Sequence, residues 1–121
     1  MIICIPTVDE KGFLSTISKH LGRTPYLTIL YIEDNKIEAI KTIKNNNNHQ
    51  KSAPAPTDII INSKTNILIC TNLGPKAMSI LHENNIQIFA PVSGKVKDVI
   101  HDWKEHTLPL AEQSPCNECS C

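Results

Sequence analysis

Residues 66–91, NILICTNLGPKAMSILHENNIQIFAP, hold the pattern that decides the fold. Asn66 to Cys70 is a short, continuously apolar run, as expected of a strand buried on both faces of a parallel sheet. Thr71 to Pro75 turns the chain, and proline is tolerated in the first turn of a helix. Ala77, Ile80 and Leu81 then recur at i, i+3 and i+4, the spacing of one helical face. Ile86 to Pro91 is a second strand. A strand, a covering helix and a further strand in so few residues form a right-handed parallel crossover.

Working outward, Ser93 is a candidate N-cap for a last helix whose Val96, Val99, Ile100 and Trp103 form an apolar stripe. Upstream, Pro56 can open a short helix running to about Ser63, against the strand propensity of Ile59, Ile60 and Ile61. Ile2 to Val8 reads as a strand stopped by Asp9-Glu10-Lys11-Gly12. Tyr26 to Glu33 and Lys36 to Ile43 read as a hairpin turning at Asp34-Asn35. Alternation in its second arm is imperfect, with Ile37 and Ala39 set against Glu38, Ile40 and Thr42. Asn45 to Ala55 is a polar, low-complexity loop. Gly12 to Pro25 is a long, mostly polar connection, a length more often functional than incidental.

The expected fold class is therefore α/β: a mixed five-stranded sheet with an N-terminal antiparallel hairpin. Parallel strands around Ile5, Ile69 and Ile88 occupy its centre, and helices cover it in a ribonuclease H-like three-layer domain. The domain spans residues 1–106, and residues 107–121 form a flexible Cys-rich tail. With 40% hydrophobic and 20% charged residues among 121, the composition suits one domain with its own core. Twelve Lys and Arg balance twelve Asp and Glu, so no basic excess favours nucleic acid. No apolar run approaches the roughly 18 residues of a membrane span. The first residues lack the basic region and cleavage site of a secretory leader, so the expectation is a cytoplasmic protein without membrane contact, a monomer or weak dimer.

Ligands of open α/β sheets bind beyond the carboxyl ends of the parallel strands. Those ends carry Thr7 and Asp9, Thr71 and Asn72, and Pro91 to Gly94. Helix N-termini near Pro75 and Gly94-Lys95 aim unpaired N–H groups at the same edge, which suits an anion. The same residues also serve as ordinary turn and cap chemistry. His20, in the connection from that edge, is either a neutral imidazole ligand or an exposed histidine without a role. Two-metal nuclease chemistry needs several carboxylates on the central strands. Ile2 to Val8 and Ile67 to Cys70 have none, and Asp9 with Asp58 cannot supply the cluster.

Cys4 and Cys70 sit in apolar runs and read as small buried hydrophobes. Cys116, Cys119 and Cys121 crowd the C-terminus in a Cys-x-x-Cys-x-Cys arrangement. In a reducing compartment this suits soft-metal ligation, including zinc, or thiol redox chemistry better than a structural disulfide. A tetrahedral site takes four ligands, so a fourth would come from His106, His20 or another chain. A tail of unengaged thiols is the alternative.

Ser18-Lys19-His20-Leu21-Gly22-Arg23-Thr24-Pro25-Tyr26 resembles the S-x-H-F-G-R-A-P-Y segment of the dinitrogenase iron–molybdenum cofactor biosynthesis family. Cys70 to Ala77 is similar to that family's G-N-L-G-P-x-A turn. Leu21 stands where the family has Phe, and the Asn-rich loop where relatives are Gly-rich. The resemblance implies a ribonuclease H-like fold and binding rather than catalysis. Its cargo would be an iron–sulfur or iron–molybdenum type cluster, or a precursor, passed between donor and acceptor proteins. It implies His20 as ligand, with Arg23 and the helix N-termini offsetting the cluster's charge, and the strand-end residues Thr7, Asn72, Gly74, Ser93 and Gly94 would then surround the cargo. Two other readings stay open: a regulatory or partner-binding module with a small-anion pocket, and a small thiol redox protein using Cys116 and Cys119.

Overall fold

The computed structural model describes residues 1–19, 21, 24–34, 36–44 and 56–108. Along the chain run β1 (Ile2–Thr7), a 3-10 turn (Gly12–Leu14), β2 (Tyr26–Glu33), β3 (Lys36–Lys44), α1 (Pro56–Asn62), β4 (Ile67–Ile69), α2 (Pro75–Glu83), β5 (Gln87–Phe89) and α3 (Val96–Lys104). The strands form one sheet in the order β3-β2-β1-β4-β5. β2 lies antiparallel between β1 and β3, while β1, β4 and β5 are parallel. This is the mixed, ribonuclease H-like sheet expected from the sequence, with one correction. β5 is parallel but forms an edge, because the chain leaves it for α3 and no described strand pairs with its outer side.

The period-two pleat sends alternate residues of each strand to opposite faces. Ile3, Ile5, Leu30, Ile32, Ile67 and Ile69 pack under Val96, Val99 and Ile100 of α3. Cys4, Leu27, Ile29, Leu68, Cys70 and Ile88 pack under Ile60 of α1 and Leu81 of α2. Two aliphatic cores thus flank the sheet, one with a single helix and one with two. The three isoleucines of α1 follow the proline start and helix packing rather than their strand propensity. Ile60 is fully buried there, and Ile59 and Ile61 pack beside it.

The irregular pattern of β3 has a geometric cause. Between Tyr31 and Ile32 the register shifts: Ile32 pairs with Ile37, but Tyr31 pairs with Ala39. The extra residue, Glu38, is a β-bulge, and it reverses the alternation beyond it. Ile37 and Ile40, expected on opposite faces, both pack against the α3 side.

Leu68 is fully buried in the second core, so Leu68→Ala should lose about 2–5 kcal/mol of folding stability. Leu14→Ala, at a side chain 53% exposed, should change it by less than about 0.5 kcal/mol. Urea denaturation midpoints of the two variants check this contrast.

Candidate functional site

The connection after the 3-10 turn is tied into the fold rather than looped over it. Val8 N–H donates to the Thr16 carbonyl at 2.9 Å, and Ser18 N–H to the Pro6 carbonyl at 2.9 Å. On the other side, Ile17 N–H donates to the Gly94 carbonyl at 2.8 Å, and Val96 N–H to the Ser15 carbonyl at 2.9 Å. Residues 15–18 therefore lie as a short extended rung between the end of β1 and the entry to α3. Ser15, Ile17, Ser18, Leu21 and Thr24 are all buried, so much of a segment read as polar and connective is interior.

Hydroxyls complete the wiring. Thr7 Oγ1 donates to the Asp9 carbonyl at 3.0 Å. Its one proton is then committed, so Thr28 Oγ1, at 2.9 Å, acts as donor to it. Thr24 Oγ1 lies 2.9 Å from the Thr7 carbonyl and 2.7 Å from the Tyr26 carbonyl, and its hydroxyl proton serves both. Ser15 Oγ accepts from Lys11 N–H at 2.8 Å and donates to the Asp9 carbonyl at 3.2 Å. Ser15 and Thr24 were not legible as site residues. The only trace of them in the sequence is small hydroxyl side chains flanking apolar Ile17 and Leu21.

The Asn72 turn closes the arrangement. Leu21 N–H donates to the Asn72 carbonyl, and Asn72 Nδ2 donates to the Lys19 carbonyl, both at 3.3 Å. Asn72 thus holds the residues on either side of position 20. Next to it Gly74 caps α2 from extended backbone without a side-chain hydrogen bond, and Pro75 is the first helical residue. Among the described residues a Cβ on Gly74 would meet nothing within 4 Å, and the same is true at Gly94. Both positions border open space. At Gly94 the backbone itself requires glycine, since φ is +114°.

Of the residues expected to surround a ligand, Asn72, Gly74, Ser93 and Gly94 are exposed around this strand end. Thr7 reaches the same end but is fully buried with its hydroxyl engaged, which makes it a support for the loop. Ser93 is not the cap of α3. Lys95 holds that position without a side-chain bond, and the Ser15 carbonyl takes the Val96 amide in its place. The amide end of α3 is thereby partly used within the fold, whereas α2 starts without a side-chain cap from its N-cap residue. His20 and Arg23 lie outside the described residues, as do Cys116, Cys119 and Cys121 of the tail.

Cys4 and Cys70 are unpaired by disulfide and fully buried. Burial pushes the Cys70 thiol up to about 12. Burial, with the Cys70 thiol nearby, drives Cys4 higher still. Both thiols are therefore protonated at neutral pH and pack as small apolar side chains. Among the described residues no three His, Cys, Asp or Glu side chains gather as a metal site. Most hydroxyls and amides of this end are engaged within the fold, and what it exposes is Asn72, Gly74, Ser93 and Gly94.

Fold and rim define a small α/β domain with a polar rim at the carboxyl ends of its parallel strands. The chain belongs to the dinitrogenase iron-molybdenum cofactor family, whose model matches residues 1–106. Its fold is shared by the apo form of the orange protein from Desulfovibrio gigas, at 18% identity and a TM-score of 0.78, over 91% of this chain and 92% of that one. A NifB-type protein from Thermotoga matches at 20% identity and a TM-score of 0.74, covering 90% and 91%. A Methanocaldococcus jannaschii protein, provisionally described as a dinitrogenase, matches at 20% and 0.75, covering 94% and 97%. No curated protein matches the sequence. No helix among the described residues is long and apolar enough to cross a membrane.

Two outcomes follow from this wiring. Thr24→Val keeps the shape but removes the donor to two carbonyls, and should lose about 1–3 kcal/mol of stability, with faster amide exchange at residues 15–21. The buried thiols predict a pH effect with a definite sign. Their folded pKa values are raised, so the stability they contribute is complete below the ordinary 9.0 and is lost as pH rises toward about 12. Urea titrations across that window should show stability falling, and Cys70→Ala should flatten the fall.

Proposed function

We propose that this chain is a non-catalytic accessory protein that binds a metallocluster of iron–sulfur or iron–molybdenum type, or its precursor, and passes it from a donor protein to an acceptor. The supporting observation is the clamp of Asn72 on Lys19 and Leu21. It fixes the backbone on both sides of His20, the family-motif histidine, beside the amide end of α2. One imidazole ligand, with Arg23 and helix amides offsetting the cluster's negative charge, would hold a cargo through a few bonds. That suits transfer, because a site closed by four thiolates releases its metal reluctantly.

Ser93, Gly94 and Gly74 would form the rim, and Thr7 would act from beneath by holding the loop. Cys116, Cys119 and Cys121 would supply a second set of soft ligands, for the same cluster or for zinc, on a tail distinct from the domain of residues 1–106. A small-anion regulatory module is the competing reading, favoured by the same helix end.

Anaerobic reconstitution with iron and sulfide tests this, read by visible absorbance and iron per chain. The wild type should retain iron in fixed stoichiometry, His20→Ala should lose most of it, and Asn72→Ala should weaken retention about tenfold. Replacing Cys116, Cys119 and Cys121 together by Ser reports the share of the tail. If the wild type keeps no iron while phosphate raises its melting temperature, the anion-binding module is the correct reading.

A further inference from the structure

Away from the strand ends, the 3-10 turn and α3 enclose a groove of about 220 Å³ lined by Phe13, Ile37, Lys97, Ile100, His101 and Lys104. Ile37 lies toward the opposite end of the sheet from Thr7, since it pairs with Ile32 while Thr7 pairs with Tyr26. We propose that this groove docks an extended, acidic segment of a partner protein that carries an apolar anchor residue.

Three observations converge on that occupant. The floor is apolar, with Ile100 and Ile37 beneath Phe13, one of the few large apolar side chains left exposed, at 37%. Small-molecule pockets run to roughly 300–1,000 Å³, so a groove of this size takes one or two side chains. Above the floor, Lys97, His101 and Lys104 follow one another at i, i+4 and i+7 along α3. The chain as a whole is neutral, with 12 basic and 12 acidic residues. Lys97 and Lys104, with no acidic side chain among the described lining residues, therefore select for acidic side chains flanking the anchor.

The third observation is the strand beside the groove. β3 is nine residues long and, among the described residues, forms the sheet's edge, so its outer backbone groups can accept an added strand. Its bulge and its Lys36, Lys41 and Lys44 oppose pairing with a second copy of itself, by geometry and by like charge. An acidic segment meets attraction at the same lysines. The edge therefore discriminates between self and an acidic partner.

The probe is a fluorescein-labelled nonapeptide alternating Glu with Leu, followed by anisotropy and by amide chemical shifts of the full-length protein. Binding should shift amides of residues 13, 37, 97–104 and the β3 edge, and K97E/K104E should weaken it about tenfold or more. These two side chains are exposed, so circular dichroism of the variant should match the wild type. A peptide alternating Lys with Leu should bind the reversed variant better than the wild type. Equal binding of both peptides by the wild type, no binding at millimolar peptide, or shifts confined to the Asn72 turn would overturn the proposal. Iron retention by K97E/K104E should equal that of the wild type, so this docking surface and the cluster reading fail separately.

Discussion

Four backbone hydrogen bonds hold residues 15–18 between the end of β1 and the entry to α3, and the rest of the structure depends on them. They convert what would be a loop into a rung that joins two layers. Through Ile17 the rung contributes to the core under α3, and through the Ser15 carbonyl it caps α3 itself. Buried backbone groups must find partners, and here two of the four bonds join residues 15 and 17 to the distant residues 96 and 94. The strand end is consequently stiff on the β1–α3 side.

That stiffness bears on how a cargo could be held. Thr7, Thr24 and Thr28 sit below the rim and bond to one another and to the backbone, so they hold the rim without forming its surface. The exposed rim is made of Asn72, Gly74, Ser93 and Gly94. Glycines leave room, and the α2 terminus supplies partial positive charge. Such a surface binds through shape and field rather than through a dense ligand set. The two buried thiols stand apart from it. Their depth in the core under α1 and α2 suppresses ionisation, which leaves them to packing.

The two sides of the sheet are also unequal at their margins. The α1–α2 side covers β4 and β5, whereas on the other side a groove lies between the 3-10 turn, Ile37 of β3 and α3. A bulge at Glu38 turns Ile37 and Ile40 to the same side, concentrating apolar surface there. Lys97, His101 and Lys104 then border it because an i, i+4, i+7 row lies along one flank of a helix. The edge strand and the strand-end rim are thus separate surfaces of one small domain.

By itself the sequence determined the elements whose signals are local. NILIC, the Gly74-Pro75 start of α2, the hairpin and the stripe of α3 each carry a period or a turn residue, and their order implies the mixed sheet. The Asn72 turn and the Ser18–Tyr26 segment were legible as site candidates because both carry recognisable motifs. Tertiary structure alone decided that β5 is an edge, that Ser15 and Thr24 are interior, that Ser93 is not a cap, and that a bulge reverses β3. It also decided that Asn72 grips the neighbours of His20. The physical reason is common to all of these. A hydrogen bond between residues 17 and 94, or 21 and 72, leaves no periodic mark in the sequence, and its partners become visible only when the chain brings them within 3.3 Å.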